Sequence, residues 1–537
     1  MHWQTKAQRK RDALAAKIPE EWRLSSELLE RAESLDNILD IPRQSEILTE
    51  REINITETTD ATELVSRLLS GELSAYEVAV AFCKRAAIAQ QLTCCLTEIF
   101  FDQAIERAKQ LDRQYAETEK LAGPLHGVPI SLKDSYNVIG VQSTLGYVSF
   151  LDRPPLTFNS PMVNILLKAG AVIYVKTHLP QTMMTADSHT NVFGRTRNPY
   201  GCSLTAGGSC GGEGALIAMR GSILGAGTDV GGSLRIPSFC CGIQGFKPSV
   251  GRLPFAGQTP PGRIGLAGGI AVSTGPLCTS MRDADLFFKT VVSSRPEDLD
   301  DNSFGFPYIQ QPKLEAPLKI GILPEDPSLP LHPCMHRTIA TASQKLASFG
   351  HQIVQLSAEE FPSLVDACDL AHRFFNMDPD RTPLQNVNSS GEPYIPSLGM
   401  LYNLEKDVSE PTLRQLYDLN IAKAQVAAKM RQAWLKSGVD VILAPAYQSC
   451  APLHDTFGKN IYTVIWNLVD YPACVIPFGH ANKAADAEFL RDVLYTPEYK
   501  PEEIEGAPCH VQLVGRRLKD ELLLQHARVI EKALEET

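Results

Sequence analysis

The sequence has no long apolar run, no excess of positive charge, no regular cysteine spacing and no internal repeat, and each absence closes off a class of protein. Its longest uncharged stretch, Ile264 to Met281, is crowded with Gly, Ser and Thr and carries Pro276, which suits a loop and not a lipid-facing helix. The N-terminus carries the basic run Arg9-Lys10-Arg11 ahead of only brief apolar runs, so it lacks the hydrophobic block of a secretion signal. A cytoplasmic protein with no membrane span is therefore expected. Lys+Arg number 51 against 62 Asp+Glu, giving a net charge of -11, a field that repels nucleic-acid phosphates. The 13 cysteines are odd in number and irregularly spread, with no C-x-x-C, so neither a disulfide framework nor a zinc site is indicated and most are expected to be reduced and structural.

What is present is a chain of 537 residues, 44% hydrophobic and 21% charged, a balance that suits a folded protein with a large core. Residues 1–58 are charged and Pro-interrupted, with helical stretches at Thr5 to Ala16 and Ser25 to Glu33, and read as an N-terminal helical arm packed on a catalytic body of residues 59–537. Helical periodicity follows at Asp60 to Leu69, at Tyr76 to Gln90 behind an N-cap at Ser74, and at Gln103 to Tyr115. The short apolar run Val128 to Leu132 reads as a buried strand with Lys133 at its end. A helix over Met162 to Lys168, a turn at Gly170 and a strand over Ala171 to Val175 repeat the α/β rhythm. Further strands are expected at Leu318 to Ile322, Val441 to Ala444, Ala473 to Ile476 and Val511 to Val514. The fold class is α/β, a layered α/β/α arrangement around a large, mostly buried mixed sheet.

The densest Gly/Ser segment lies at residues 205–251, where Ser209 and Ser233 each follow a Gly-Gly pair. Glycine at this density costs folding entropy, and backbone that must approach a ligand closely is a reason to tolerate it. The strings Gly207-Gly208-Ser209-Cys210-Gly211-Gly212, Gly227-Thr228-Asp229-Val230-Gly231-Gly232-Ser233-Leu234-Arg235-Ile236-Pro237 and Pro129-Ile130-Ser131-Leu132-Lys133-Asp134 resemble, in order, the motifs of the amidase signature family. Gly245-Phe246-Lys247-Pro248 and Leu513-Val514-Gly515-Arg516-Arg517 extend the resemblance over about residues 60 to 535. Ile18-Pro19-Glu20-Glu21-Trp22, Phe82-Cys83-Lys84-Arg85-Ala86 and Glu213-Gly214 make the chain look most like fungal acetamidase-type enzymes. Its catalytic segment also resembles animal fatty-acid amide hydrolases.

The resemblance implies an amidohydrolase without metal or cofactor, acting on a small-molecule amide. Ser233 is then the nucleophile, Ser209 the bridging serine and Lys133 a neutral base. It also implies an oxyanion hole from the backbone N–H groups of Val230, Gly231, Gly232 and Ser233, a cis peptide at Gly208-Ser209, substrate-facing walls at Met183, Met184 and the Ile461 to Leu468 region, and a homodimer as a common assembly. Cys210 departs from the family pattern, in which a second serine is usual. Asp229 and Arg235 flank the nucleophile and read as a buried scaffold pair. Other readings stay open on residues alone. The G-x-S-x-G at Gly207 to Gly211 fits a nucleophile elbow with Ser209 attacking, and Cys210 could serve as a thiolate. The same machinery also serves esters, carbamates, or release of ammonia from glutamine in an amidotransferase subunit.

Overall fold

The computed structural model describes residues 2–265, 269–314, 316–404 and 409–536. Its centre is an eleven-stranded sheet whose strands are numbered here in chain order: β1 (Leu96–Ile99), β2 (Pro129–Lys133), β3 (Val172–Thr177), β4 (Leu224–Asp229), β5 (Gln244–Lys247), β6 (Ser273–Cys278), β7 (Lys319–Ile322), β8 (Gln352–Gln355), β9 (Val441–Ala444), β10 (Ala473–His480) and β11 (Pro508–Val514). Across the sheet they run β1-β3-β2-β4-β6-β5-β10-β11-β9-β7-β8. The pairs β3-β2, β2-β4, β9-β7 and β7-β8 are parallel and the remaining pairs antiparallel. The sheet is thus mixed, and the α/β expectation holds.

Helices pack against this sheet, and their ends follow local chemistry. The Ala75–Thr93 helix starts at a capping box in which the Ser74 hydroxyl accepts from Glu77 N and the Glu77 carboxylate accepts from Ser74 N. The Ala61–Leu69 helix is capped by Asp60, whose side chain accepts from Glu63 N. Residues Trp3–Ala15, Ser26–Glu33 and Glu50–Thr56 are helical. Leu14, Trp22, Ile38 and Ile55 from this N-terminal stretch are buried in the same hydrophobic cluster as the central strands. Trp22 packs on Phe101 with ring centroids 5.6 Å apart, and the Arg11 guanidinium donates to the Val192 carbonyl at 2.7 Å.

One expectation is corrected. The stretch from Ile264 to Met281 is no continuous loop: it contains β6, wholly buried between β4 and β5. Residues 266–268 of the stretch lie outside the described residues. Pro276 lacks the N–H that a central strand needs, which is why local reading favoured a loop. Gly275 supplies the compensating feature, since a Cβ there would stand 2.1 Å from the Phe246 carbonyl oxygen. Close backbone approach selects glycine in the strand at this point.

Candidate active site

Two parallel neighbours, β2 and β4, deliver the central groups to one edge of the sheet. Ligands in α/β folds gather at such carboxyl ends of strands. β2 ends with Lys133, and β4 ends with Asp229, from which the Val230–Ser233 loop springs. The Gly211–Ala218 helix starts immediately after Ser209 and Cys210 and packs against β2, β3 and β4. These elements converge on a line of three polar atoms: Lys133 Nζ lies 2.6 Å from Ser209 Oγ, which lies 2.9 Å from Ser233 Oγ. The peptide Gly208-Ser209 is cis, as the motif implies. Gly208 has no room for a side chain, because a Cβ would stand 2.2 Å from the Thr185 carbonyl oxygen. Glycine here serves the approach of the protein's own backbone, a different demand from the ligand approach expected of the segment.

The electrostatics separate the groups. Lys133 is completely buried, and its second partner is the Thr228 hydroxyl at 2.9 Å. Burial pulls its pKa below the ordinary lysine value, with Cys210, Asp229 and Glu213 acting the other way. Burial likewise pushes the Cys210 thiol up, and its Sγ donates to the Thr228 carbonyl at 3.4 Å. A protonated, buried thiol is a poor nucleophile, which removes support from the thiolate reading. The elbow reading requires a histidine on the attacking serine, whereas the hydrogen-bond partners of Ser209 Oγ are Lys133 and Ser233. Beside them, Glu213 is fully buried and accepts from Ser131 Oγ at 2.5 Å and Thr177 Oγ1 at 2.9 Å. Burial outweighs these hydroxyls and raises its carboxyl to about 7.

The loop carrying Ser233 is held from below. Arg235 clasps Asp229 through two hydrogen bonds of 3.0 Å and also donates to Gln512 Oε1, Asn467 Oδ1 and the Thr463 carbonyl. Burial alone would raise the Asp229 carboxyl, but the Arg235 charge and hydrogen bonds, with Lys247 and Asn467, hold it at about 2. The pair is the buried scaffold expected from the sequence. Of the four expected oxyanion donors, Gly232 is already engaged, its N–H donating to Asp229 Oδ1 at 2.7 Å. That leaves the amides of Val230, Gly231 and Ser233 as candidates. Gly232 adopts φ +130°, and a Cβ there would meet Thr463 Oγ1 at 2.5 Å.

A cavity of about 70 Å³ opens at Ser233. Met183 and Met184 line it as the motif resemblance implies, together with Ile236, His372, Phe375, Met400, Leu401, Phe457 and Asn460. The Ile461 to Leu468 region does not: it is a buried helix whose Thr463 and Asn467 brace the loop, and only Asn460, just before its first turn, reaches the cavity. Sequence reasoning missed Thr228, His372 and Asn460. Thr228 sits within the quoted motif and could have been found from the pairing of β2 with β4. His372 and Asn460 have no local signal, since the chain brings them to Ser233 from more than a hundred residues away.

Among the described residues no helix is long and apolar enough to cross a membrane. The family model for amidases matches residues 77–524, a span that includes Lys133, Ser209 and Ser233. An amidase of Gibberella moniliformis is 38% identical over 549 aligned positions, covering 99% of both chains, and an acetamidase of Emericella nidulans is 37% identical over 554, covering 99% of this chain and 98% of its own. The structure of a fatty acid amide hydrolase superposes with a TM-score of 0.91 at 29% identity, covering 99% of this chain and 95% of that one. A 6-aminohexanoate cyclic dimer hydrolase shares the fold at a TM-score of 0.71 and 22% identity. With the family match spanning every element that builds the site, and relatives of this kind aligned over nearly their full length, the chain belongs to the amidase signature family and is an amidase.

Proposed function

We propose that the enzyme hydrolyses short-chain carboxylic amides in the cytoplasm through a serine acyl-enzyme, with Ser233 as nucleophile, Ser209 as bridge and Lys133 as base. The observation that carries the reading is the unbroken line from Nζ to Oγ to Oγ at 2.6 and 2.9 Å. An amide carbonyl is a weak electrophile, so the attacking hydroxyl must shed its proton as the bond forms. Neutral Lys133 accepts the Ser209 proton while Ser209 accepts that of Ser233, leaving an ammonium and a tetrahedral adduct. The adduct's oxyanion is met by backbone N–H groups of the Val230–Ser233 loop, each worth about 3 kcal/mol in the transition state. When the C–N bond breaks, the Lys133 ammonium gives its proton back to Ser209 Oγ as the Ser209 hydroxyl protonates the departing nitrogen, while Ser233 Oγ stays bonded to the acyl carbon. Water then attacks the acyl-Ser233 ester with Lys133 again taking a proton, and the products are the carboxylate and ammonia or an amine.

The cavity of about 70 Å³ beside Ser233 has room for a short acyl group. Its walls at Met183, Met184, Phe375, Leu401 and Phe457 suit an alkyl substituent. Acetamidases among the full-length relatives point the same way. The test is a turnover screen of primary amides from two carbons upward, with matched esters and carbamates, alongside fluorophosphonate labelling mapped by mass spectrometry. Expected are a peak of kcat/KM among the shorter amides and a label on Ser233 that Ser233→Ala loses. A label on Ser209, or a preference for long acyl chains, would overturn the reading.

A further inference from the structure

The central peptide of the nucleophile loop, between Gly231 and Gly232, is gripped at both ends. Its N–H donates to Asp229 Oδ1 at 2.7 Å, and its carbonyl accepts from Thr463 Oγ1 at 2.8 Å and from Asn460 Nδ2 at 2.6 Å. A peptide is a rigid plane, so fixing its carbonyl and its N–H limits how the neighbouring N–H groups of Gly231 and Ser233 can be aimed. Those two are candidate donors to the reacting oxygen. Two of the three grips, Asp229 and Thr463, are wholly buried, whereas Asn460 stands at the cavity wall.

Asn460 is itself oriented. Its Oδ1 lies 3.2 Å from His372 Nε2, with Cys368 Sγ a further donor at 3.6 Å. The amide nitrogen is committed to the Gly231 carbonyl, so the Oδ1 end must accept, and the His372 proton therefore sits on Nε2. Reversing the Asn460 amide would set its oxygen against the Gly231 carbonyl oxygen. His372 belongs to the Leu364–Phe375 helix, which packs on the Ile461–Leu468 helix, and it lines the cavity one turn before Phe375.

We infer that Asn460 is a positioning residue for the oxyanion loop and that His372 is the cavity-facing residue that holds it in the working orientation. This rests on the proposed role of the Val230–Ser233 loop. Two consequences follow. Changes at Asn460 act on the transition state and leave substrate binding nearly untouched, and the wall of the substrate cavity is mechanically tied to the group that stabilises the oxyanion.

The experiment compares Asn460→Ala, Asn460→Asp, His372→Leu and His372→Gln by kcat, KM and the inhibition constant of a peptide-free alkyl aldehyde, which forms a tetrahedral adduct with the nucleophile. Asn460→Asp matches the native shape and removes the donor, so it keeps the test open if the alanine variant fails to fold. Expected for both Asn460 variants is a fall in kcat of about 10- to 100-fold with KM within about threefold, and a weakening of the aldehyde by the same factor as kcat/KM. His372→Leu should show part of that loss and His372→Gln, whose amide N–H can still reach Asn460, should recover most of it. A folded Asn460→Asp enzyme with normal kcat and aldehyde affinity, or one affected in KM alone, overturns the assignment; equal losses in the two His372 variants overturn the part given to His372. Ser233→Ala, assayed in parallel, separates this outcome from failure of the serine mechanism, since that failure leaves Ser233→Ala active.

Discussion

Lys133 Nζ and Ser209 Oγ face each other at 2.6 Å inside the protein, and the partners of this lysine are hydroxyls, Ser209 and Thr228, instead of carboxylates. A buried ammonium without a paired anion is costly, so the arrangement favours the neutral amine. The pKa of Lys133 is lowered by burial, so the base form appears at lower pH than for a free lysine. kcat/KM for amides should rise with pH along a limb set by Lys133 and lying below the ordinary lysine range. Lys133→Ala should abolish the limb and most amide turnover, and Lys133→Arg should do the same, because guanidinium stays protonated. Stopped or steady-state pH profiles of the three proteins check this, and near-normal turnover by a folded Lys133→Arg enzyme would count against the relay.

Cys210 should be replaceable by serine. Its thiol donates to the Thr228 carbonyl, and Thr228 in turn contacts Lys133. A serine hydroxyl can make the same donation, with a shorter reach that leaves a small gap. Turnover of Cys210→Ser is expected within about tenfold of the native enzyme. Complete loss in a folded variant would give the thiol a chemical role.

Glu213 predicts a pH dependence of stability. Its carboxyl is raised from 4.5 to about 7, so its contribution is fully present below about 4.5 and is lost as pH rises through about 7. The loss amounts to about 3 kcal/mol across that window. Glu213→Gln, which keeps the shape and cannot ionise, should flatten this part of the profile. Urea unfolding of both proteins at pH 5 and pH 8 checks it, and parallel curves would be the contrary result.

Gly232→Ala should be severe. The backbone there is at φ +130° and a Cβ would press on Thr463 Oγ1 and Ile236 Cδ1. Strain of about 1–3 kcal/mol is expected, with turnover down by about 100-fold as the Ser233 amide is displaced. Thermal unfolding and kcat measured on the same preparation separate the two effects.

The elements nearest the chemistry were the most legible in the sequence. Lys133 at the end of an apolar run lies on β2, and the cap at Ser74 begins its helix as read. Both are local signals, one of periodicity and one of hydrogen-bonding side chains. β6 was lost because Gly275 and Pro276 carry low strand propensity, and only the neighbouring Phe246 backbone explains them. The three groups in line were visible as motifs. The engagement of the Gly232 amide by Asp229 was not, because which of four adjacent N–H groups turns inward depends on the loop's path. His372 and Asn460 are ordinary residues in their own stretches, and only folding brings them to the cavity.

The position of β11 has a consequence for biosynthesis. This strand, Pro508–Val514, inserts between β10 and β9 in the interior of the sheet, and its Gln512 accepts from Arg235, which follows Ser233 by two residues. Ribosomes deliver the N-terminal part first, so Lys133, Ser209 and Ser233 have all emerged long before the strand that completes their support. A nascent chain released at residue 500 would carry Lys133, Ser209 and Ser233 and still lack an inner strand of the sheet, and such fragments should be idle and prone to capture by chaperones. Activity is therefore expected only once β11 has been made and has taken its place between β10 and β9.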